Sequence, residues 1–330
     1  MIGYNKPHLA LIDRSFFKSS AMKQKPPAQE QMELFALKAL CFADDHVSDS
    51  FEMKHVSDWL GISYSYFYHS FTQVIGEPYW QYVKRHRLEL SAGLLRHSGY
   101  NVSEISERTG YATVAAFTKA FTQYYDKSPR GFRKIPTLPN EQRTLHLVDA
   151  IVKAFNKKGD NLTSYFNFEH TEKEYLPDSM LYYTILSRGQ DPIAQMIMKM
   201  TREEKRLRKI LQAQELPQAK VITSTLDSVP VTSYEQMSIF AGIFLPSKDV
   251  TSGFMDVVMK ENLMAKRIPA GHYIKLPVPI DFAMAGIPMY EFIDRYVKEG
   301  VFKMSGNHFF ISMVAPSQCE IFIPYMKQLL

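Results

Sequence analysis

The sequence predicts a multi-domain chain, in which an all-α region comes first and an α+β region follows. At 330 residues the chain exceeds the ~250 to 300 residues at which a single hydrophobic core stops growing. A helical pattern occurs twice in its first part. Beyond Arg133, two prolines flank a short polar stretch, after which strand and helix patterns mix. We therefore predict an N-terminal arm at 1–27, a helical domain at 28–136, a linker at 137–160 and an α+β domain at 161–330.

The repeat is a set of four residues that recurs after a constant offset of fifty. Phe67, Phe71, Thr72 and Gln73 return as Phe117, Phe121, Thr122 and Gln123. Each copy follows a short helical pattern that stops at a glycine, Gly61 in the first and Gly110 in the second. Glycine adopts the left-handed backbone conformation with which many helices end. The repeat predicts two similar helix-turn-helix units.

In the first unit, Val56 and Leu60 lie at helix-face spacing before Gly61, and Ser63 is a suitable N-cap for the next helix. That helix carries Phe67, Phe71 and Val74 on its buried stripe, while its opposite face includes Tyr64, Ser65, Tyr68 and His69.

In the second unit, Asn101 and Glu104 have the spacing of a capping box, and Thr113 is suited to cap the following helix. Phe117, Phe121 and Tyr124 are predicted to face the core, leaving an outer face of Val114, Ala115, Thr118 and Lys119. Such a second helix enters the major groove of DNA.

A single long helix, Tyr79 to His97, is predicted between the units. Its nineteen residues span roughly 28 Å, close to the ~34 Å of one DNA turn. This length suits two recognition helices that enter the groove on one face of the DNA.

The charge is unevenly distributed along the helical region. Residues 28–78 hold two basic and eight acidic residues, a net charge of −6, whereas 79–136 hold ten basic and four acidic residues, a net charge of +6. Since DNA phosphates attract Lys and Arg, we expect the second half to anchor the protein and the first unit to add specificity.

The segment from Met53 to Lys134 resembles the DNA-binding domain of AraC/XylS transcription regulators. The resemblance rests on the landmarks Leu60-Gly61, Ser63, Phe67, Phe71, Gly76, Tyr82, Arg87-Leu88, Leu94-Leu95, Ile105, Gly110-Tyr111, Phe117, Phe121, Ser128-Pro129 and Phe132-Arg133. It implies double-stranded promoter DNA as partner, and activation through contact with RNA polymerase. It also places the base-facing positions at Ser65, Tyr66, Tyr68, His69, Val114, Ala115, Thr118 and Lys119.

Each of these positions has a plainer alternative. His69 and Lys119 could contact phosphate or only solvate a helix face, and the tyrosines of the first unit could pack against a second domain. None of the eight is an Arg or Gln, the residues that make bidentate contacts to guanine and adenine. Val114 and Ala115 suit a thymine methyl group.

The second part of the chain is predicted to alternate strands and helices. Strands are expected at 180–186, 239–245, 265–276, 309–314 and 320–323, a long amphipathic helix from Ile193 to Leu211, and a second helix through Met289 and Phe292. This plan resembles the GyrI-like effector-binding domain of Rob-type regulators, with matching residues at Ile268–Tyr273 and Glu320–Pro324. The resemblance implies a small-molecule effector in an aromatic cleft.

The candidate effector residues are Tyr182, Phe240, Tyr273, Tyr290 and Phe310, and ordinary core packing is the alternative for each. Phe310 stands where some relatives place a glutamate for cationic ligands, although aromatic faces also attract cations. A rear domain that binds another protein and no small ligand is the competing function.

The composition excludes several other classes. The longest apolar run, Met237 to Leu245, is far short of the ~20 residues of a membrane span, and the N-terminus lacks a secretory signal, so a cytoplasmic protein is expected. Cys41 and Cys319 are isolated, which predicts reduced thiols and no zinc site. Because no phosphate-binding loop, metal cluster or nucleophile motif is present, we expect neither an enzyme nor a cofactor.

Overall fold

The computed structural model describes residues 28–135, 171–187, 191, 193–229, 231–233, 236–278, 289, 292–293, 296, 300–315 and 318–327. The predicted arm at 1–27, the predicted linker at 137–160 and the effector candidate Tyr290 lie outside these residues.

Seven helices make up the described part of the N-terminal region. They are α1 (Ala28–Asp45), α2 (Met53–Leu60), α3 (Tyr64–Ile75), α4 (Tyr79–His97), α5 (Val102–Arg108), α6 (Val114–Tyr125) and α7 (Pro129–Phe132). The pairs α2–α3 and α5–α6 are the two predicted helix-turn-helix units, and α4 connects them over the predicted residues.

The predicted caps are confirmed. The φ angle of Gly61 is 71°, and its N–H donates to the carbonyls of Ser57 and Asp58 at the end of α2. The Ser63 hydroxyl accepts from the N–H of Tyr66, and the Thr113 hydroxyl accepts from Ala116. Asn101 and Glu104 form the predicted capping box. The bonds at Ser63, Asn101 and Thr113 satisfy N–H groups that the first turn of a helix leaves open, and the Gly61 bonds satisfy carbonyls of the last turn.

One core prediction for the second unit is wrong. Tyr124 was assigned to the buried stripe of α6, but it is 44% exposed. The neighbouring Tyr125 packs against Phe121 and Phe132, with ring centroids 4.6 and 4.7 Å apart. Because α7 closes the core beside the last turn of α6, Tyr125 occupies the inner position and Tyr124 stays at the rim.

An antiparallel sheet of eight strands follows, in the order β1-β6-β8-β7-β3-β4-β2-β5. The strands are β1 (Glu172–Leu176), β2 (Ser179–Ser187), β3 (Lys220–Thr225), β4 (Ile239–Pro246), β5 (Met264–Ile268), β6 (Gly271–Val278), β7 (Phe310–Ala315) and β8 (Gln318–Tyr325). Helix α8 (Ile193–Ala213) precedes β3, and helix α9 (Ser252–Lys260) precedes β5.

The predicted strand at 265–276 is in fact two strands. Pro269 and Ala270 separate β5 from β6, and the two strands pair with different neighbours. Proline lacks the N–H that a continuous ladder requires at this point.

The two faces of the sheet pack against different helices. On one face, Tyr182 and Leu245 share a buried cluster with Leu207 of α8 and Phe254 of α9. On the other face, Tyr183 and its neighbours belong to a cluster that also contains buried side chains of α1 and α4. The sheet therefore shares its second core with the helical region.

The second helix-turn-helix unit is also joined to the rear domain. Val231, in the connection between β3 and β4, lies in the same buried cluster as Leu88 of α4 and Phe121 of α6. The Tyr100 hydroxyl donates to the carbonyl of Ser305 at 2.7 Å. The helical region and the sheet thus form one continuous packed body among the described residues.

Candidate nucleic-acid interface

Helix α3 exposes the four base-facing residues predicted for the first unit. Ser65, Tyr66, Tyr68 and His69 all lie on its exposed side. The helix holds its position through Phe67, which is 2% exposed and sits in the core. The 3.6-residue period of a helix separates these two sides.

The tyrosines of the first unit do not pack against the described part of the second domain. Tyr64, Tyr66 and Tyr68 are 50%, 39% and 38% exposed, with the described part of the sheet in place. Tyr66 packs edge-on against Phe35 of α1, with ring centroids 6.3 Å apart, and Tyr68 packs against His69 at 5.5 Å. The outer face of α3 is therefore open to a partner.

Helix α6 brings the second set together. Val114, Ala115 and Lys119 are exposed and Thr118 is half-buried. These four residues line one shallow open depression, together with Thr122, Gln123 and Asp126. An exposed helix face of this kind can enter the major groove of DNA.

The same faces carry two glutamines that the sequence reasoning did not count as contacts. Gln123 follows Lys119 by one helical turn, and Gln73 follows His69 by the same step. Both are exposed. A glutamine amide can bind adenine through two hydrogen bonds. The i, i+4 spacing was the available signal, but these residues had been used only to identify the repeat.

Several of the basic residues of 79–136 serve the fold. Arg87 donates to the carbonyl of Gly110 at 3.3 Å, and Arg133 donates to the carbonyl of Leu95 at 3.1 Å. Arg96 donates to the carbonyl of Ile135 at 2.6 Å. The net charge of this segment thus overstates the positive charge available to phosphate groups.

Seven basic residues of the same segment are exposed to solvent: Lys84, Arg108, Lys119, Lys127, Arg130, Arg133 and Lys134. Helix α3, by contrast, contains no Lys or Arg. The electrostatic attraction for DNA is therefore concentrated at the second unit, as the sequence had indicated.

The four effector candidates that the structure describes do not form one cleft. Phe240, Tyr273 and Phe310 lie in the core cluster shared with the helices and are at most 1% exposed. Tyr182 points to the opposite face, where its ring packs against Phe254 at 5.2 Å. Burial raises the pKa of Tyr182 to about 12, so its hydroxyl stays neutral at pH 7.

Around Phe310 the aromatic side chains are stacked. Its ring centroid lies 4.7 Å from Phe322 and 4.8 Å from Phe244, with interplanar angles of 17° and 27°. Tyr273 packs at 5.8 Å from the same ring. In this structure the stack is filled by its own side chains.

A buried ionic cluster joins the two regions, and no pattern in the sequence predicted it. Lys266 of β5 donates to the carboxylate of Asp44 at the end of α1 and lies 2.6 Å from the His308 ring. His86 of α4 lies 3.5 Å from Asp44 and 3.9 Å from Asp227. Since burial without partners is costly for charges, this pairing ties α1 and α4 to the sheet.

Two absences concern only the residues that the structure describes. No group of three or more His, Cys, Asp or Glu side chains there could hold a metal ion. No helix in this part of the chain has both the length and the apolar character needed to cross a membrane.

Residues 56–135 match the family model described as a helix-turn-helix domain. The chain is 30% identical over 97 residues to the regulatory protein PocR of Salmonella typhimurium, covering 29% of this chain and 32% of that protein. It is 28% identical over 131 residues to the HTH-type transcriptional activator RhaS of Escherichia coli, covering 39% of this chain and 47% of that protein. The chain thus spans less than half of the length of these curated relatives.

A similar solved structure also matches about a third of this chain. The C-terminal domain of AraT, a response regulator from Geobacillus stearothermophilus, is 27% identical, covers 30% of this chain and 84% of that chain, and has a TM-score of 0.30. The family model therefore indicates a helix-turn-helix region at residues 56–135, and both curated relatives are regulators by name.

Proposed function

We propose that this chain is a sequence-specific transcription regulator that reads double-stranded promoter DNA with α3 and α6. The observation that carries the proposal is the pair of exposed helix faces. Each helix is anchored in the core by a phenylalanine at the same position along the helix, Phe67 in α3 and Phe117 in α6. The described part of the sheet domain leaves both faces open. A protein that binds in this way needs no dimer to occupy two half-sites.

The two units have different roles in this proposal. Lys119 and the exposed basic residues around α6 hold the phosphates and position the protein. Tyr66, Tyr68 and His69 of α3 add sequence discrimination through hydroxyl, ring and imidazole contacts to base edges. The net negative charge of residues 28–78 keeps the nonspecific attraction to DNA phosphates low at the first unit.

This division is testable by measuring the affinity of the full chain for duplex DNA between about 50 and 200 mM salt. Lys119→Ala is expected to weaken binding and to lower the salt slope by about one, because one phosphate contact is lost. Tyr68→Ala is expected to lower the preference for the specific site without changing the slope. Lys205→Ala, an exposed lysine on α8 of the rear domain, is the matched control and should change neither quantity. An unchanged affinity and slope in Lys119→Ala would contradict the assignment.

For the sheet domain we propose a GyrI-like effector-binding role. The aromatic stack of Phe244, Phe310 and Phe322, with Tyr273 beside it, supports an apolar or cationic aromatic ligand, since ring faces attract cations. Such a ligand would have to displace side chains that now fill the stack. A contact with RNA polymerase during activation belongs to the same proposal.

The alternative is a rear domain that functions only as a protein-interaction module. The near-complete burial of Phe240, Tyr273 and Phe310 beneath the helical region favours it. Calorimetric titration of the full chain with a lipophilic quaternary ammonium ion and with a neutral aromatic of similar size distinguishes the two. Saturable binding that Phe310→Leu weakens supports an effector site; no saturable binding of either probe supports the interaction module.

A further inference from the structure

We propose that Glu89 is a positioning residue, through which the rear domain sets the orientation of α6 and hence the half-site that α6 reads. The inference rests on the proposed DNA-reading function and adds to it a residue that makes no DNA contact. It is carried by the hydrogen bonds of Glu89, which join three parts of the chain.

Glu89 lies on α4 with its side chain 6% exposed. One carboxylate oxygen, Oε2, accepts from the Thr232 hydroxyl of the rear domain at 2.8 Å. The other, Oε1, accepts a long contact of 3.4 Å from the Tyr124 hydroxyl at the end of α6. Arg85 donates to Oε2 at 3.2 Å and fixes the carboxylate from the preceding turn. A single carboxylate therefore connects the rear domain to the second recognition helix.

The connection has an apolar counterpart. Thr232 is fully buried, and its neighbour Val231 packs in the cluster that contains Phe121 of α6. At Gly93 of α4, an added Cβ would lie 3.0 Å from the Ser228 Oγ atom, so this rear-domain segment approaches α4 closely. Because packed interiors transmit strain, a shift of Val231 and Thr232 would reach α6 through both contacts.

The placement of Tyr124 separates this role from a purely structural one. Tyr124 is 44% exposed and lies at the rim of the core, so loss of its hydroxyl costs little packing. Its hydroxyl has one described hydrogen bond, to Glu89. Tyr124→Phe thus removes the link on the α6 side, and Thr232→Val removes it on the rear-domain side while keeping the shape of the side chain.

The test uses the full chain and the sites that wild-type protein enriches from a random duplex library. Affinities are compared between the selected site and duplexes in which one half-site is scrambled. Thr118→Ala identifies the half-site that α6 reads. Both link variants are expected to lower discrimination at that half-site by about three- to tenfold, as the loss of one hydrogen bond predicts, and to leave the other half-site unchanged.

The double variant Tyr124→Phe with Thr232→Val should lose no more than the larger single loss, because both substitutions break one link. Ser233→Ala, in the same rear-domain segment but bonded to Gln236, is the control and should have no effect. Independent, additive losses, equal losses at both half-sites or unchanged discrimination would overturn the role of Glu89 alone. No enriched half-site with the wild-type chain would instead overturn the proposed function, and this inference with it.

Discussion

At the scale of single residues, the contact between the helices and the sheet depends on charges that are hidden from water. Asp44 is 7% exposed and receives the ammonium of Lys266 from 222 positions further along the chain. Burial alone would raise the pKa of Asp44, but the nearby Lys266 ammonium, with His308 and His86 beside the carboxylate, outweighs burial and holds that pKa well below its ordinary value. The Asp44 carboxyl is therefore ionised at neutral pH.

We expect Asp44→Asn to lower the free energy of unfolding by about 3 kcal/mol, because it leaves the Lys266 charge buried without a partner. Urea denaturation of the full chain measures this. Glu172→Gln is the control, since Glu172 pairs with Lys275 while its side chain is 63% exposed and such surface pairs contribute little. A loss below about 1 kcal/mol in Asp44→Asn would contradict this expectation, because it would show that water solvates the Lys266 ammonium once Asp44 is removed.

His308 predicts a pH dependence. Burial and the neighbouring Lys266 lower its pKa, so the native ring stays neutral at a pH where the unfolded ring takes up a proton, near 6.5. The unfolded chain then binds more protons, and stability falls as the pH drops below that value. The Asp44 carboxyl, whose pKa is lowered, loses its contribution only below its ordinary pKa.

The His308 ring is expected to cost the wild-type chain about 1 kcal/mol of its free energy of unfolding between pH 7.5 and 5.5. His308→Gln should lose about that much less over the same range. Glu89 and Asp227, whose pKa values burial raises, act in the opposite direction but are present in both proteins, as is His86. The measurement is urea denaturation of both proteins at the two pH values. Identical pH dependence would contradict a neutral, half-buried His308.

At the scale of elements, the helices were predictable because their signals are local. The bounds of α4, the caps Ser63, Asn101 and Thr113, and the glycine stops all follow from residues within one turn of the helix end. Strands β1 and β3 and helix α9 were not predicted. The residues of β3 are nearly all buried, so this strand lacks the alternating pattern of a half-exposed one, and α9 is a nine-residue helix that buries only Phe254 and Val258. Tyr124 was misplaced because its spacing fits the stripe, whereas α7 closes the core elsewhere.

Gly61 and Gly110, the glycines that follow α2 and α5, allow backbone strain to be compared with steric crowding. Both have positive φ angles, 71° at Gly61 and 74° at Gly110. An added Cβ at Gly61 meets nothing within 4 Å, but at Gly110 it would lie 2.6 Å from the Val47 carbonyl and 2.8 Å from Arg87 Cζ.

Gly61→Ala is expected to cost about 1 kcal/mol, from the left-handed conformation alone. Gly110→Ala should cost at least twice as much, because the backbone of the preceding loop or Arg87 must move. Thermal unfolding of the two variants gives the difference, and equal costs would show that the contacts at Gly110 relax freely.

At the scale of the whole molecule, the shared cores set the behaviour of the two regions. Leu40 and Phe42 of α1 belong to the same buried cluster as Tyr183 and Phe240 of the sheet. The sequence indicated two domains and a linker, yet it carried no sign of which faces would meet. Asp44 and Lys266 are far apart in the sequence and meet only in the folded chain. The spacing of apolar residues along the sequence therefore could not predict their contact.

We therefore expect the full chain to unfold in one cooperative transition, and a fragment of residues 28–135 to be less stable by several kcal/mol, since it exposes part of a core. Scanning calorimetry of both proteins tests this. Two separate transitions in the full chain, with the first matching the fragment, would mean that the interface contributes little.

The most direct test of the proposed function is selection of bound sequences from random duplex DNA by the full chain, at fixed salt near 0.15 M. The exposed faces of α3 and α6 predict two enriched half-sites about ten base pairs apart, as for two helices in successive major grooves on one side of the DNA. Binding without any enriched sequence would contradict this, because the two units would then hold DNA without reading it.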